Sequence, residues 1–296
     1  MSAAEIAAAP APRFSLARRF PTLRRLLRHR GFVIGLVISV FVLGVAALAP
    51  WITDADPLKL SMRTRFRPPG ADFLFGTDNF GRSQLARVAY GARLSVLIGL
   101  SVVAINAVFG TALGALSGYF RALDPWLMRF NDALMAFPAI LLAISITAVL
   151  GSSTVNVIVA LAIVYVPRTA RLVRSSVLVV REMEYVQAAV AAGAGHWRIL
   201  RRHILPNSMA PLIVQLSFLF AYAVLSEATL SFLGLGAAPP TPTWGNIMAE
   251  GRQYIREAPW IIAIPGAALA LTVMGLNLLG DGLRDVLDPR LKVQQG

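Results

Sequence analysis

Long apolar runs alternate along the chain with shorter polar or basic segments. An apolar run of about 18 residues or more without charges is typical of a helix that crosses a membrane, and the pattern predicts six such helices. The fourth is predicted to continue beyond its uncharged part, because Arg168, Arg171 and Arg174 recur every three residues on one helical face. The predicted spans are residues 32–51, 94–120, 133–150, 155–167, 207–235 and 260–279.

The connections between these runs are polar and differ in length. A short polar turn is predicted at residues 121–132. Residues 237–259 contain four prolines and are predicted to form an external loop with a short helix. A short cytoplasmic tail is predicted from residue 280 onwards.

Residues 181–207 form a segment that is too polar to cross a membrane, although it lies between two apolar runs. Ala188 and Ala189 belong to an alanine-rich stretch that favours a helix, and Gly193 indicates a bend or a close approach of another backbone. A second helical piece follows, and Pro206 is predicted to end it. A short basic helix-turn-helix between two membrane helices indicates a docking element for a cytoplasmic partner.

Gly110, Gly114 and Gly118 lie four residues apart in the second span. This spacing leaves one helix face without side chains over two turns, and a face of small residues lets a neighbouring helix pack closely. We therefore predict a helix-packing face here. The alternative is that these glycines are simply tolerated in a membrane helix.

The polar segment between the first two spans contains a glycine and aspartate pattern at Gly76, Asp78 and Gly81. This pattern predicts an ordered turn that leads into an amphipathic helix entering the second span. On residue type alone, a functional role and a solvated loop with a capping Asp78 are both compatible with it.

Glu227 is an acidic residue within the fifth span. It lies well beyond Met209, ~27 Å along the helix axis at 1.5 Å per residue, so we expect it near the external end. Acidic residues inside a membrane are functional candidates by default. The alternative is a hydrated helix end without a specific role.

Composition supports the membrane class. Hydrophobic residues make up 56% of the 296 residues, and the mean hydropathy is +0.65, which is not typical of a soluble protein. The net charge of +13 is spread between the apolar segments, so it is typical of topology signals and not of a nucleic-acid surface. Most basic residues fall in segments that place both termini in the cytoplasm, and we predict no nucleic-acid binding.

Common catalytic and metal-binding motifs are missing from the sequence. It contains no P-loop, no H-E-x-x-H, no G-x-S-x-G and no cysteine. His196 and His203 are seven residues apart and would share a face on a continuous helix, but no acidic or cysteine partner lies near them. We therefore predict no catalytic residue, no metal site and no cofactor bound by the chain itself.

One resemblance to a known family lies in the polar segment. Gln187-Ala-Ala, followed by Gly193 and His203-Ile-Leu-Pro206, resembles the EAA loop of ABC-importer permeases. Gln187 stands where that family usually has glutamate, which puts a salt bridge from this position in question. His203 stands where an aliphatic residue is common.

Further stretches resemble the second permease subunit of the oligopeptide, dipeptide and nickel importers. These are Gly76-Thr-Asp with Gly81-Arg82, residues 226–236 and residues 280–290. Ser83 departs from the pattern, since an acidic residue is common there. The resemblance therefore covers the chain from residue 76 to residue 290.

The resemblance implies the permease fold of a type I ABC importer, with both termini in the cytoplasm. It divides the chain into a basic cytoplasmic tail (1–31), a first helix with an external segment (32–93) and a permease core (94–296) that contains the coupling loop 181–207. In such permeases this loop inserts into a groove of a separate ATPase. The residues expected to act there are Glu184, Gln187, Ala188, Ala189, Gly193, Arg198, Arg201, Ile204, Leu205 and Pro206.

The resemblance also implies partners and a location. The expected partners are a homologous permease, two cytoplasmic ATPase subunits that bind the ATP, an external or periplasmic substrate-binding protein, and membrane lipid. The expected location is the bacterial inner membrane, crossed several times, and the chain itself is expected not to be an enzyme.

Peptides are the cargo that the resemblance favours, while nickel, glutathione and oligosaccharide systems share the same subunit. Two other classes are a secondary transporter driven by an ion gradient and an intramembrane hydrolase. The absence of an internal repeat, of a mid-membrane acid and of paired catalytic residues argues against both.

Overall fold

The computed structural model describes residues 21–287, so residues 1–20 of the predicted basic tail and residues 288–296 lie outside the description. Its principal helices are α1 (Pro21–Arg28), α2 (Arg30–Ile52), α3 (Gln84–Tyr119), α4 (Asp124–Met135), α5 (Ala139–Leu150), α6 (Thr154–Arg181), α7 (Glu184–Ala191), α8 (His196–Phe232), α9 (Trp244–Gly251) and α10 (Trp260–Leu287). No β-strand occurs between residues 21 and 287.

Five helices, α2, α3, α6, α8 and α10, are long and apolar enough to cross a membrane, and α4 with α5 forms a sixth span if the bent pair is taken as one. The predicted all-α membrane fold is confirmed. The continuation of the fourth span is also confirmed, because α6 runs without a break to Arg181. The short helix expected within residues 237–259 is α9.

Helices α4 and α5 contradict the predicted polar turn at 121–132, and they show a sharp break within the predicted span 133–150. Residues Asp124–Met135 are helical, and the two helix axes meet at 89°. The break falls at Phe137 and Pro138, because proline has no N–H for the helical ladder and disfavours the helical conformation of the residue before it.

Pro206 does not end a helix, contrary to the prediction. The chain passes through it as a π-helical turn (Leu200–Ile204) and a 3₁₀ turn (Leu205–Ser208), and then continues as α-helix to Phe232. Pro206 lies at the start of the 3₁₀ turn, where a missing N–H is tolerated. The second helical piece and the fifth span are therefore one helix, α8.

The predicted amphipathic helix that enters the second span is present, since α3 begins at Gln84 and runs on into that span. The last helix is longer than predicted. Helix α10 extends to Leu287, and the tail predicted from residue 280 is helical up to that point. Gly280 and Gly282 lie within α10 and do not break it. They allow α10 to approach its neighbours closely, since a Cβ on Gly282 would lie 2.8 Å from the Cα of Phe32.

The helices form a bundle with two distinct ends. Helix α10 packs against α2 and α8, and α3 packs against α2, α6 and α8. We call the end that carries α1, α4, the loop 181–207 and the last turn of α10 the loop face. The opposite face carries residues 53–83, the α5–α6 turn and α9.

The three glycines of α3 lie against α6. A Cβ on Gly110 would lie 2.7 Å from the Cβ of Thr169, and one on Gly118 would lie 2.8 Å from the Cβ of Val177. At Gly114 an added Cβ would meet the carbonyl oxygen of Ala170. Because no side chain intervenes, the two backbones approach closely along the half of α3 that leads to the loop face.

Candidate functional site

The loop 181–207 is attached to the bundle by a small apolar cluster. Val186 of α7 and Ile199 and Ile204 of α8 are buried, and they pack with Val173 and Val177 of α6. Burying aliphatic side chains on all three helices fixes the loop to the ends of the two spans that it joins. The loop is therefore a continuation of the bundle and not a free hinge.

A polar joint connects the same loop to the end of α3. The hydroxyl of Tyr119 lies 2.9 Å from Nδ1 of His196, and the two rings pack edge to face. Arg181 donates from Nη1 to the carbonyl oxygens of Gly118 (3.0 Å) and Tyr119 (3.4 Å). These bonds satisfy carbonyls at the C-terminal end of α3 that have no partner within the helix.

Gln187 forms a hydrogen bond that glutamate could not form. Its Nε2 donates to the carbonyl oxygen of Arg181 at 3.0 Å, and so ties α7 to the last turn of α6. A carboxylate has no proton to donate to a carbonyl. The amide at this position therefore has a structural use in this chain.

Gly193 provides the bend between α7 and α8. Its φ is +79° and no atom lies within 4 Å of an added Cβ. The bend that the sequence predicted is present, whereas no backbone of residues 21–287 approaches Gly193 closely. Glycine adopts this left-handed conformation readily, while a branched side chain is strained in it.

The remaining predicted residues of the loop fall into an outward and an inward group. The outward group is Glu184, Ala188, Arg198, Arg201 and Pro206, and Ala189 and Leu205 are half-buried. Ile204 is buried in the apolar cluster and does not reach the surface. The outward side also presents Val190 and Trp197, the latter 64% exposed. This exposed mixture of apolar and basic groups is typical of a surface that binds another protein.

A cavity of about 560 Å³ opens beside the loop, between α6, α8 and α10. Its lining includes Leu172, Gln215, Phe218 and Arg284. The cavity combines an apolar wall with an amide and a guanidinium group. It lies at the loop face because Arg284 belongs to the last turns of α10.

Helix α4 is held at the loop face by ion pairs that the sequence analysis did not identify. Asp124 accepts two hydrogen bonds from Arg174, at 2.5 Å and 2.6 Å. These bonds hold the pKa of the Asp124 carboxyl below its usual range. Arg171 also bonds to Asp132 of α4. The basic stripe of α6 thus serves as an attachment for α4.

A buried ion-pair network lies at the opposite face. Asp78 Oδ2 is 2.5 Å from Nε of Arg82 and 2.8 Å from Nη1 of Arg87, and the side chains of Asp78 and Arg87 are fully buried. Glu250 of α9 bonds to both arginines. The network joins residues 76–87 to α9, more than 160 residues later in the chain.

The alternative of a solvated loop with a capping Asp78 is therefore wrong, because Asp78 is buried within this network. Ser83 caps α3 instead, since its Oγ accepts from the backbone N–H of Ala86. Gly76 and Gly81 both have φ of +73° and shape the turn that holds Asp78. Local spacing identified the turn, but the partner on α9 lies too far along the sequence to be identified from it.

Glu227 is fully buried, which contradicts the alternative of a hydrated helix end. Its carboxyl accepts from Ser95 Oγ of α3 at 2.8 Å and from Ser231 Oγ, one turn later in α8, at 2.7 Å.

Residues 21–287 contain no group of three or more histidine, aspartate or glutamate side chains that could hold a metal ion.

Comparison with known proteins identifies the family. Residues 81–293 match the family described as "Binding-protein-dependent transport system inner membrane component". Residues 15–69 match the description "N-terminal TM domain of oligopeptide transport permease C".

Three relatives illustrate the similarity. A putative peptide transport system permease protein of Brucella abortus is 56% identical over 92% of this chain and 92% of its own length. A dipeptide transport system permease protein of Alkalihalophilus pseudofirmus is 45% identical over 91% and 89%. A glutathione transport system permease protein of Pectobacterium atrosepticum is 42% identical over 91% and 90%. The chain therefore belongs to the multi-pass inner membrane permeases of binding-protein-dependent ABC importers.

Proposed function

We propose that this permease imports di- and oligopeptides, and that it forms the translocation path together with a homologous permease subunit. The observation that carries the proposal is the near full-length similarity to permeases named for peptide and dipeptide transport. An external substrate-binding protein delivers the peptide at the opposite face. The chain binds no cofactor and catalyses no reaction, and two separate ATPase subunits bind the ATP.

The loop 181–207 is the part of the chain that docks on an ATPase, and the loop face is cytoplasmic. The outward side of the loop supports this proposal, because it presents Val190, Trp197, Arg198 and Arg201 while its inward side is anchored in the bundle. A docked loop of this kind passes the motion of the ATPase to α6 and α8 as a rigid body. The joint at Tyr119 and His196 adds α3 to the parts that move.

The cavity beside the loop supports a path that opens towards the cytoplasm. It lies between the two spans that the loop joins and α10. When the loop moves with the ATPase, the walls formed by α6 and α8 move with it. We propose that this cavity is the inner part of the path on the side of this subunit.

A transport assay tests the cargo. The four-component transporter is reconstituted in liposomes with ATP inside, and uptake of a labelled dipeptide, of glutathione and of Ni²⁺ is measured with the cognate binding protein. Saturable, ATP-dependent uptake of the dipeptide in preference to the other two supports the proposal. Preference for glutathione or Ni²⁺, or uptake that persists without ATP and collapses with an uncoupler, contradicts it.

Gly193 provides the test of coupling. We expect Gly193→Val to lower peptide uptake by more than half while the assembled transporter still hydrolyses ATP, because a branched residue at φ of +79° distorts the bend between α7 and α8. Gly193→Asn is the matched control, since asparagine tolerates this conformation. Unchanged uptake in the valine variant would show that the bend does not transmit motion.

A further inference from the structure

Helix α1 is strongly amphipathic. At about 100° per residue, Leu23, Leu26 and Leu27 form one stripe along it, and the three arginines Arg24, Arg25 and Arg28 occupy the other side. No acidic residue lies in its sequence. Such a short helix with leucines on one side and cations on the other is typical of a segment that lies in a membrane interface.

The apolar side of α1 is not covered by the described part of the chain. Leu23 is 51% exposed and Leu27 is 54% exposed, although α1 packs against the ends of α2 and α10. The arginines Arg24, Arg25 and Arg28 are exposed as well. Within residues 21–287, no carboxylate lies within ion-pair distance of these three side chains.

The position of α1 decides what covers it. His29 alone separates α1 from Arg30, the first residue of the spanning helix α2. Its Nδ1 accepts from the N–H of Phe32 at 3.2 Å, and its Nε2 lies 3.2 Å from Oδ2 of Asp285. Because Nδ1 accepts, the ring proton is on Nε2 and points to the carboxylate. The joint therefore holds α1 at the level where the bundle leaves the bilayer.

We propose that α1 is a membrane-surface helix that binds anionic phospholipids. Its leucines insert among the acyl chains, and its arginines bind the phosphate groups of the lipid headgroups. Phospholipid is the occupant because α2 places the helix at the bilayer surface and because its free charges are all positive. The proposal concerns lipid binding and does not depend on the cargo.

Lipid binding at α1 has a consequence for α10. Asp285 of α10 bonds to His29, and Gly282 of α10 packs on Phe32. Arg284 and Leu287 of the same turns line the cavity beside the loop. A lipid-anchored α1 therefore holds one wall of this cavity at a fixed depth in the membrane.

A fluorescence experiment on the assembled transporter tests this proposal. The chain has no cysteine, so Leu27→Cys can be labelled with an environment-sensitive probe as the one thiol of this chain, before it is assembled with the other subunits. The transporter is placed in nanodiscs of phosphatidylcholine with or without phosphatidylglycerol, and quenching by spin-labelled lipid is measured. Val190→Cys lies on the outward side of the loop, which the proposed ATPase covers, and provides the reference that lipid does not reach. We expect quenching at Leu27→Cys that increases with phosphatidylglycerol, and little at Val190→Cys.

Charge variants complete the test. We expect replacement of Arg24, Arg25 and Arg28 by glutamine to remove most of the response to phosphatidylglycerol, since each arginine near an anionic surface contributes about five-fold to binding. The matched control replaces the exposed Arg63, Arg65 and Arg67 of the opposite face, with the same change of charge. Equal quenching with and without phosphatidylglycerol, an equal effect of both triple variants, or a probe shielded only when a partner subunit is present would each overturn the proposal.

Discussion

At the residue scale, Glu227 is the acidic side chain that differs most from its expected surroundings. A carboxyl group enclosed by protein is stable only if its oxygens are hydrogen-bonded. Ser95 and Ser231 supply these bonds, one from α3 and one from the following turn of α8. Glu227 thus acts as an acceptor that joins two spans near the opposite face.

Substitutions of Glu227 test whether it stabilises the protein as a hydrogen-bond acceptor or through the negative charge of its carboxylate. We expect Glu227→Gln to retain most of the thermal stability, because the amide oxygen still accepts from one hydroxyl. We expect Glu227→Ala to lose about 1–3 kcal/mol, because two buried hydroxyls lose their partner. Thermal unfolding of the purified chain measures both, and Ser145→Ala, whose hydroxyl bonds only to its own helix, serves as control. Equal stability of both variants would contradict the acceptor role.

At the element scale, the pairing of α3 with α6 depends on glycine. The two helices touch backbone to backbone at Gly110, Gly114 and Gly118. In a membrane, close packing of this kind replaces the hydrophobic effect as the source of helix association. The pair also carries the loop at its end, so in the proposed coupling its rigidity would determine how motion of the loop reaches the bundle.

We expect Gly114→Ala to destabilise the protein by about 1–3 kcal/mol, because the new methyl group overpacks the contact with α6. An added Cβ would lie 2.7 Å from the Cβ of Val173. Gly44→Ala in α2 is the control, since no atom lies within 4 Å of its added Cβ. The unfolding temperatures of the two variants test this prediction. Similar values would show that the α3–α6 contact accommodates the added methyl group without loss of stability.

Some features of the helices could be predicted from the sequence, and others could not. Apolar runs located the long spans, because length and absence of charge are local properties. They do not locate the start of α3, where Arg87 is neutralised by Asp78 and by Glu250 from a distant helix; the glycine and aspartate pattern indicated that amphipathic helix instead. The predicted helix end at Pro206 was wrong, because a 3₁₀ turn accommodates the proline within α8. The hydrogen bond from Gln187 to the carbonyl oxygen of Arg181 could not be predicted either, because only the fold brings these two groups together.

At the scale of the whole molecule, two polar assemblies stabilise the two ends of the bundle. At the loop face, contacts of Tyr119, Arg174 and Arg181 hold α3, α4, α6 and the loop together. At the opposite face, the network of Asp78 and Arg87 joins the start of α3 to α9. Between them the spans pack through apolar side chains. In the proposed coupling, this division would let the loop face move with the ATPase while the opposite face keeps its own structure.

The network at the opposite face is expected to be essential for stability. Arg87→Met should cost about 3–5 kcal/mol, because it leaves the buried Asp78 with a reduced set of partners. The double variant Arg87→Met with Asp78→Asn should recover part of that loss, since no carboxylate then remains buried at that position. Arg63→Gln at the exposed surface is the control, and its unfolding temperature should match that of the unmodified chain. A double variant no more stable than Arg87→Met alone would argue against the network.

The central claim is that a cytoplasmic ATPase drives conformational change in this permease through the loop 181–207. Trp197 is exposed on the outward side of that loop, and the chain has no cysteine, so Trp197→Cys gives this chain a single thiol, to which the crosslinking reagent is attached before the transporter is assembled. Val149→Cys at the opposite face is the control. We predict that a short bifunctional reagent joins Trp197→Cys, and not Val149→Cys, to an ATPase subunit. A crosslink from Trp197→Cys to the external binding protein alone would contradict the account.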